Sequence, residues 1–158
     1  MFQRVLIANR GEIACRIART CRALGIGYVA VHTDVDAAAP HLEGAVARVR
    51  IGSGPAAQSY LDGERIVAAA LETGCDAVHP GYGFLSENSQ FAAAVAAAGL
   101  TFIGPRPETI AALGDKARAK SLMQAADVPV VPGGEGASDD PEVVGAMVRR
   151  VGLPVLLK

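Results

Sequence analysis

The chain has 158 residues and a formal charge of -1, which suits one ordinary domain, or one domain and part of a second, and argues against wholesale attraction to nucleic acid or a membrane surface. Hydrophobic residues make up 51%, yet aromatics only 4% and tryptophan is absent, so alanine and the aliphatics must fill the core. No run reaches the length of a membrane span, and "MFQRVLIANRGE" is broken by charge too early for a secretory signal; the expected compartment is the cytoplasm.

"RVLIA" (4–8) reads as a buried strand, and "NRGE" as the turn after it. A helix follows over 12–24, with Ile13, Ile17, Cys21 and Leu24 recurring on an inward face and Ala14 and Ala18 beside them. Cys15 and Cys21 then lie roughly 9 Å apart along the axis, too far to pair, and the three cysteines read as reduced thiols. "YVAVH" (28–32) is a second strand and "VARVRI" (46–51) a third, shorter and more exposed. Asp62 caps a helix to about Thr73, with Ile66, Val67, Ala70 and Leu71 inward. "DAVH" (76–79) is a strand, 88–98 a helix and "TFIG" (101–104) another strand. This repeated order predicts a doubly wound α/β parallel sheet, Rossmann-like, with helices on both faces. "PRPETIAALGD" (105–115) is a short helix, and Asp115 caps a further one over 116–126. A Pro- and Gly-rich linker leads to Asp140 and Pro141, an N-cap and first helical residue. "LPVLLK" (153–158) starts a strand. The domain boundary is placed near 113–115.

The first strand-turn-helix, "VLIANRGEIA", invites a dinucleotide reading, with Asp34 near the place of a ribose-binding acid. Its glycine pattern is missing, and Arg10 stands where backbone must approach pyrophosphate, so NAD binding is not expected. Arg16, Arg19 and Arg22 share a helix face that is either solvated or an interface. The loop "HPGYGFLSEN" (79–88) leaves a strand at its carboxyl end, where open parallel sheets bind ligands. Gly81 and Gly83 permit unusual backbone angles and put Tyr82 on display. Ser86, Glu87 and Asn88 suit the start of the next helix as caps. His79 by itself reads as a hydrogen-bonded core histidine. Lys116 near a helix start and Lys158 after an apolar run are settings that an anion would relieve, although an exposed strand end explains Lys158 just as well.

"RVLIANRGEIACRIARTCRALGI", "SYLDGERIV", "CDAVHPGYGFLSENSQFA", "FIGPRPETIAALGDKARAK" and "GLPVLLK" together resemble the biotin carboxylases. These open the acetyl-CoA, propionyl-CoA, methylcrotonyl-CoA, pyruvate and urea carboxylases. The resemblance implies a biotin carboxylase N-terminal domain over 1–113 and the start of an ATP-grasp domain over 114–158. It implies ATP- and bicarbonate-dependent carboxylation of carrier-bound biotin through carboxyphosphate, with Mg2+ or Mn2+ at the ATP phosphates. Lys116 and Lys158 match ATP-contacting lysines, Tyr82 and Gly83 match positions on the biotin side of the cleft, and Arg16 and Arg19 match homodimer interface positions. The implied partners are a biotin carboxyl carrier protein or domain and a carboxyltransferase; neither nucleic acid nor a membrane is among them. The family's phosphate lid, metal-binding glutamates and bicarbonate and biotin arginines are not in these 158 residues. The expectation is therefore a fragment, inactive alone, with no catalytic residue or metal ligand of its own. Another ATP-grasp ligase of the carbamoyl-phosphate synthetase kind, and a non-catalytic binding or dimerisation module, are the alternatives. The acceptor is not encoded here.

Overall fold

A computed structural model describes residues 1–114, 116–133 and 138–155. The chain forms two compact units, Met1–Ala111 and Ala112–Lys158. The division falls within the helix after the last strand, beside the boundary expected at 113–115.

The first unit runs β1 (Arg4–Ile7), α1 (Gly11–Ala23), β2 (Gly27–Thr33), β3 (Ala47–Gly52), α2 (Gly63–Glu72), β4 (Ala77–His79), α3 (Ser89–Ala97) and β5 (Thr101–Phe102). Short 3₁₀ turns at Asp34–Asp36, Pro40–Leu42 and Ala56–Gln58 flank β3. The strands form one sheet in the order β3-β2-β1-β4-β5, and every neighbouring pair is parallel. β1 is central because Val5, Leu6 and Ile7 are all apolar and both faces are covered. Side chains alternate across the pleat. Val5 and Ile7 join Tyr28, Ala30 and Ala77 against Ala14, Ile17, Ala18 and Cys21 of α1. Leu6, Val29, Val31 and Val78 face the other way, toward Ile66 and Ala70 of α2 and Phe91 and Val95 of α3. Helices on both faces make the sheet doubly wound.

The caps form as the sequence suggests at two places here: Asp62 accepts from Arg65 N–H, and Asn88 from Phe91 N–H at 2.9 Å. Two inward assignments are corrected. Leu24 and Leu71 are exposed. Leu24 is the C-cap of α1, already past the last turn that the sheet covers. On α2 the buried stripe is Ile66, Ala69 and Ala70, and Leu71 lies a further 100° around the helix.

α4 (Pro107–Leu113) spans the division between the units. The second unit contains α5 (Lys116–Ala125) and α6 (Pro141–Val151). Asp140 caps α6 by accepting from Glu142 N–H at 2.9 Å, with Pro141 opening the helix. Leu153 and Pro154 form a bend; the rest of the expected strand, 156–158, lies outside the described residues, as does the expected cap Asp115.

Candidate functional site

The chain winds outward from β1 through β2 to β3, then crosses back to β4 on the other side of β1. The switch point therefore lies between β1 and β4, and the crevice beyond their carboxyl ends is where such sheets receive ligands. Two segments meet there: the turn 8–10 after β1 and the loop 79–88 after β4.

Asn9 joins them. Only 3% exposed, it donates from Nδ2 to the carbonyl oxygens of Pro80 and Tyr82, each at 2.8 Å. Its Oδ1 accepts from Arg10 N–H at 2.9 Å. Gly81 sits so close that an added Cβ would lie 2.7 Å from Asn9 Nδ2, and its φ is +69°. Both facts require glycine. His79 Nδ1 accepts from Gly81 N–H at 3.1 Å, so the proton of the neutral ring sits on Nε2. Burial first, then the nearby Arg16 charge, holds His79 below its ordinary pKa and keeps that acceptor available.

A second tie reaches the far half of the loop. Arg10 grips Asp36 with both Nε and Nη2, the Nε contacts measuring 3.0 and 2.9 Å. Asp36 is 6% exposed and also accepts from Thr33 Oγ1 at 3.0 Å and Tyr60 OH at 2.8 Å. The Tyr60 ring stacks on Phe84 with centroids 5.0 Å apart and planes at 12°. Phe84 has φ of 40°, a left-handed angle that a bulky residue rarely adopts unless its surroundings impose it. Leu85 is buried below and Ser86 N–H closes a turn onto the Gly83 carbonyl at 2.9 Å.

Held at both ends, the loop exposes Tyr82 (63%); Gly83 beside it is exposed too, with open space around its backbone. Of the three polar residues expected as caps, only Asn88 acts as one. Ser86 serves the turn, and Glu87 is exposed. Arg16 and Arg19 are exposed on α1, and their guanidinium groups have no hydrogen bond or ion pair to other described residues. Arg22 differs: it donates to Tyr28 OH and to the Glu43 carbonyl, both at 3.1 Å. A cleft of about 260 Å3 beside α1 is lined by Glu12, Arg19, His41 and Glu43 among others. His41 is buried there, bonding the Val31 carbonyl through Nε2 while Nδ1 lacks a partner among the described residues. Nothing is described of the Lys116 side chain, and Lys158 lies outside the described residues.

Asn9, Asp36, Tyr60 and Phe84 are the residues that sequence reasoning passed over. The available signal was polarity at a strand end: an asparagine next to the buried Ala8, and a second acid two places after Asp34. Asp34, weighed as a ribose ligand, is instead taken by Arg50, with contacts of 2.7 and 2.8 Å. Among the described residues no group of three or more His, Cys, Asp or Glu side chains is placed to hold a metal ion.

This order of strands, with its pinned switch-point loop, defines a Rossmann-like, doubly wound α/β domain. Residues 1–110 match the family described as "Biotin carboxylase, N-terminal domain", and the chain belongs to that family. It is 53% identical over 156 residues to the methylcrotonoyl-CoA carboxylase subunit alpha of Oryza sativa, covering 99% of this chain and 21% of that protein. It is 52% identical over 159 residues to the biotin carboxylase of Pseudomonas aeruginosa, covering 100% and 35%. A crystal structure of the biotin carboxylase domain dimer of the Hydrogenobacter thermophilus 2-oxoglutarate carboxylase, in complex with MgADP, ADP and bicarbonate, superposes with a TM-score of 0.91. That match is 47% identical and covers 98% of this chain and 34% of the other. The chain thus spans between about a fifth and a third of the length of these relatives.

Proposed function

We propose that the protein carrying this chain is a biotin carboxylase: an ATP-dependent ligase that uses bicarbonate to carboxylate biotin on a carrier protein or domain, through carboxyphosphate, for a carboxyltransferase. The observation that carries the reading is the 47% identity across 98% of this chain with a biotin carboxylase domain whose structure holds MgADP and bicarbonate. Residues 1–113 are the domain that precedes the ATP-grasp domain, and 114–158 its beginning. Tyr82 and Gly83 form the biotin side of the cleft. Their setting suits a small, flat, partly polar ring: an exposed aromatic beside an exposed backbone peptide, on a loop already held in place. Lys116 and Lys158 offset phosphate charge on ATP as point donors. Magnesium or manganese belongs with the ATP phosphates, and no described residue is assigned to it. Arg16 and Arg19 meet a second subunit, in keeping with the dimer described for the Hydrogenobacter relative. The compartment is cytoplasmic. Cys15, Cys21 and Cys75 are all free thiols, as a reducing compartment keeps them, and among the described residues no helix is long and apolar enough to cross a membrane.

The test is made on the whole protein. It should cleave ATP only with bicarbonate present, and free biotin should stimulate that cleavage. Tyr82→Ala should raise KM for biotin about tenfold while KM for ATP moves less than about twofold. ATP cleavage indifferent to bicarbonate would reject the reaction. Equal loss for both substrates with a lowered thermal midpoint would make the loop purely structural.

A further inference from the structure

We infer that Asn9 is a positioning residue for the biotin subsite, acting through the backbone of Pro80 and Tyr82; the inference rests on the assignment of Tyr82 and Gly83 above. The amide nitrogen of Asn9 is committed to the loop in full. Its amide nitrogen carries two hydrogens, and each is bound to one loop carbonyl, at Pro80 and at Tyr82. Its oxygen accepts from Arg10 N–H. Turning the amide over would set an oxygen against two carbonyl oxygens and an NH2 against an N–H, so the network allows one orientation only. The two clamped carbonyls flank Gly81, which is pressed against Asn9 itself, and Tyr82 is the more exposed of the two residues held. Asn9 is buried, so it supports the loop from below while Tyr82 and Gly83 remain available above. Rigid support of this kind lets a ligand bind without first ordering the loop.

Two variants separate this role from general stability. Asn9→Asp keeps the shape and the acceptor for Arg10 N–H but removes both donors. Asn9→Ala removes them without adding charge. Hydrogen exchange on the 158-residue chain should be about tenfold faster at the Gly81 and Ser86 amides in both variants, with the β1 and β2 amides unchanged. In the whole enzyme, KM for biotin should rise about tenfold, with kcat and KM for ATP within about twofold of the parent. Biotin KM unchanged in a folded variant, while Tyr82→Ala raises it, overturns the inference and leaves the proposed function standing. If Tyr82→Ala leaves biotin KM unchanged, the biotin assignment fails, and the subsite role of Asn9 fails with it. Faster exchange throughout the sheet in both variants also overturns the inference, because Asn9 would then be holding the fold rather than the loop.

Discussion

Asp36 shows how one carboxylate can serve a loop far from it in sequence. Burial pushes its pKa up, but hydrogen bonds from Arg10, Tyr60 and Thr33 outweigh this and hold it below the ordinary value of 3.8. Tyr60 moves the other way: burial and the adjacent carboxylate raise its pKa, so its hydroxyl stays protonated and donates. The linkage follows from the Asp36 direction. Below about 3.8 the unfolded chain takes up the proton first, so this stabilisation is present above that pH and is lost as pH falls through the folded value. Arg10 is 48% exposed, so the Coulomb part of the pair is screened and the hydrogen bonds matter more. Asp36→Asn should cost about 1–3 kcal/mol at neutral pH, with the loss shrinking in acid. Urea unfolding of the 158-residue chain at a series of pH values measures both. An equal loss at every pH would show that the carboxylate charge has no part in it.

α1 has a buried face and an exposed one. Its inward stripe of Ala14, Ile17, Ala18 and Cys21 is close-packed on the sheet. On its outer side Arg22 folds back onto Tyr28 and Glu43, whereas Arg16 and Arg19 stay exposed. Exposed charges of this kind add little to the stability of one subunit and much to the choice of a partner. If the proposed subunit contact is made through this face, Arg19→Glu in the whole protein should shift its assembly toward monomer without lowering the thermal midpoint of the 158-residue chain. Sedimentation velocity over a concentration series reads the first effect and a thermal melt the second. An unchanged dimer would remove Arg19 from the interface.

The arrangement of the sheet as a whole bears on which ligands its carboxyl edge can receive. At the carboxyl edge of β1 and β2, Arg10 spans to Asp36 while Arg50 takes Asp34. The acids that a dinucleotide fold would offer to a ribose are thus both paired with arginine. The first turn, 8–10, also lacks the glycines that let pyrophosphate approach. Titration of NADH into the 158-residue chain should give no saturable fluorescence change. Saturable binding at micromolar concentration would mean that these ion pairs open for a ligand.

Local pattern was enough for the order of strands and helices in the first unit, for the caps Asp62 and Asp140, and for the display of Tyr82 between two glycines; it offered Ser86, Glu87 and Asn88 alike as caps, and only the structure singles out Asn88. Each of these depends on neighbours within a turn or two of chain: an apolar run, a capping oxygen two or three residues ahead, a glycine that frees φ. The family could be read from long strings such as "HPGYGFLSEN" for the same reason. What holds that loop was not legible, because Asn9 reaches it across 71 and 73 residues and Arg10 reaches Asp36 across 26. No periodicity links positions so far apart. They become neighbours only because the sheet sets β1 beside both β2 and β4. The exposure of Leu24 and Leu71 has the same origin: helix period says which residues share a stripe, but only the packed sheet decides how much of that stripe is covered.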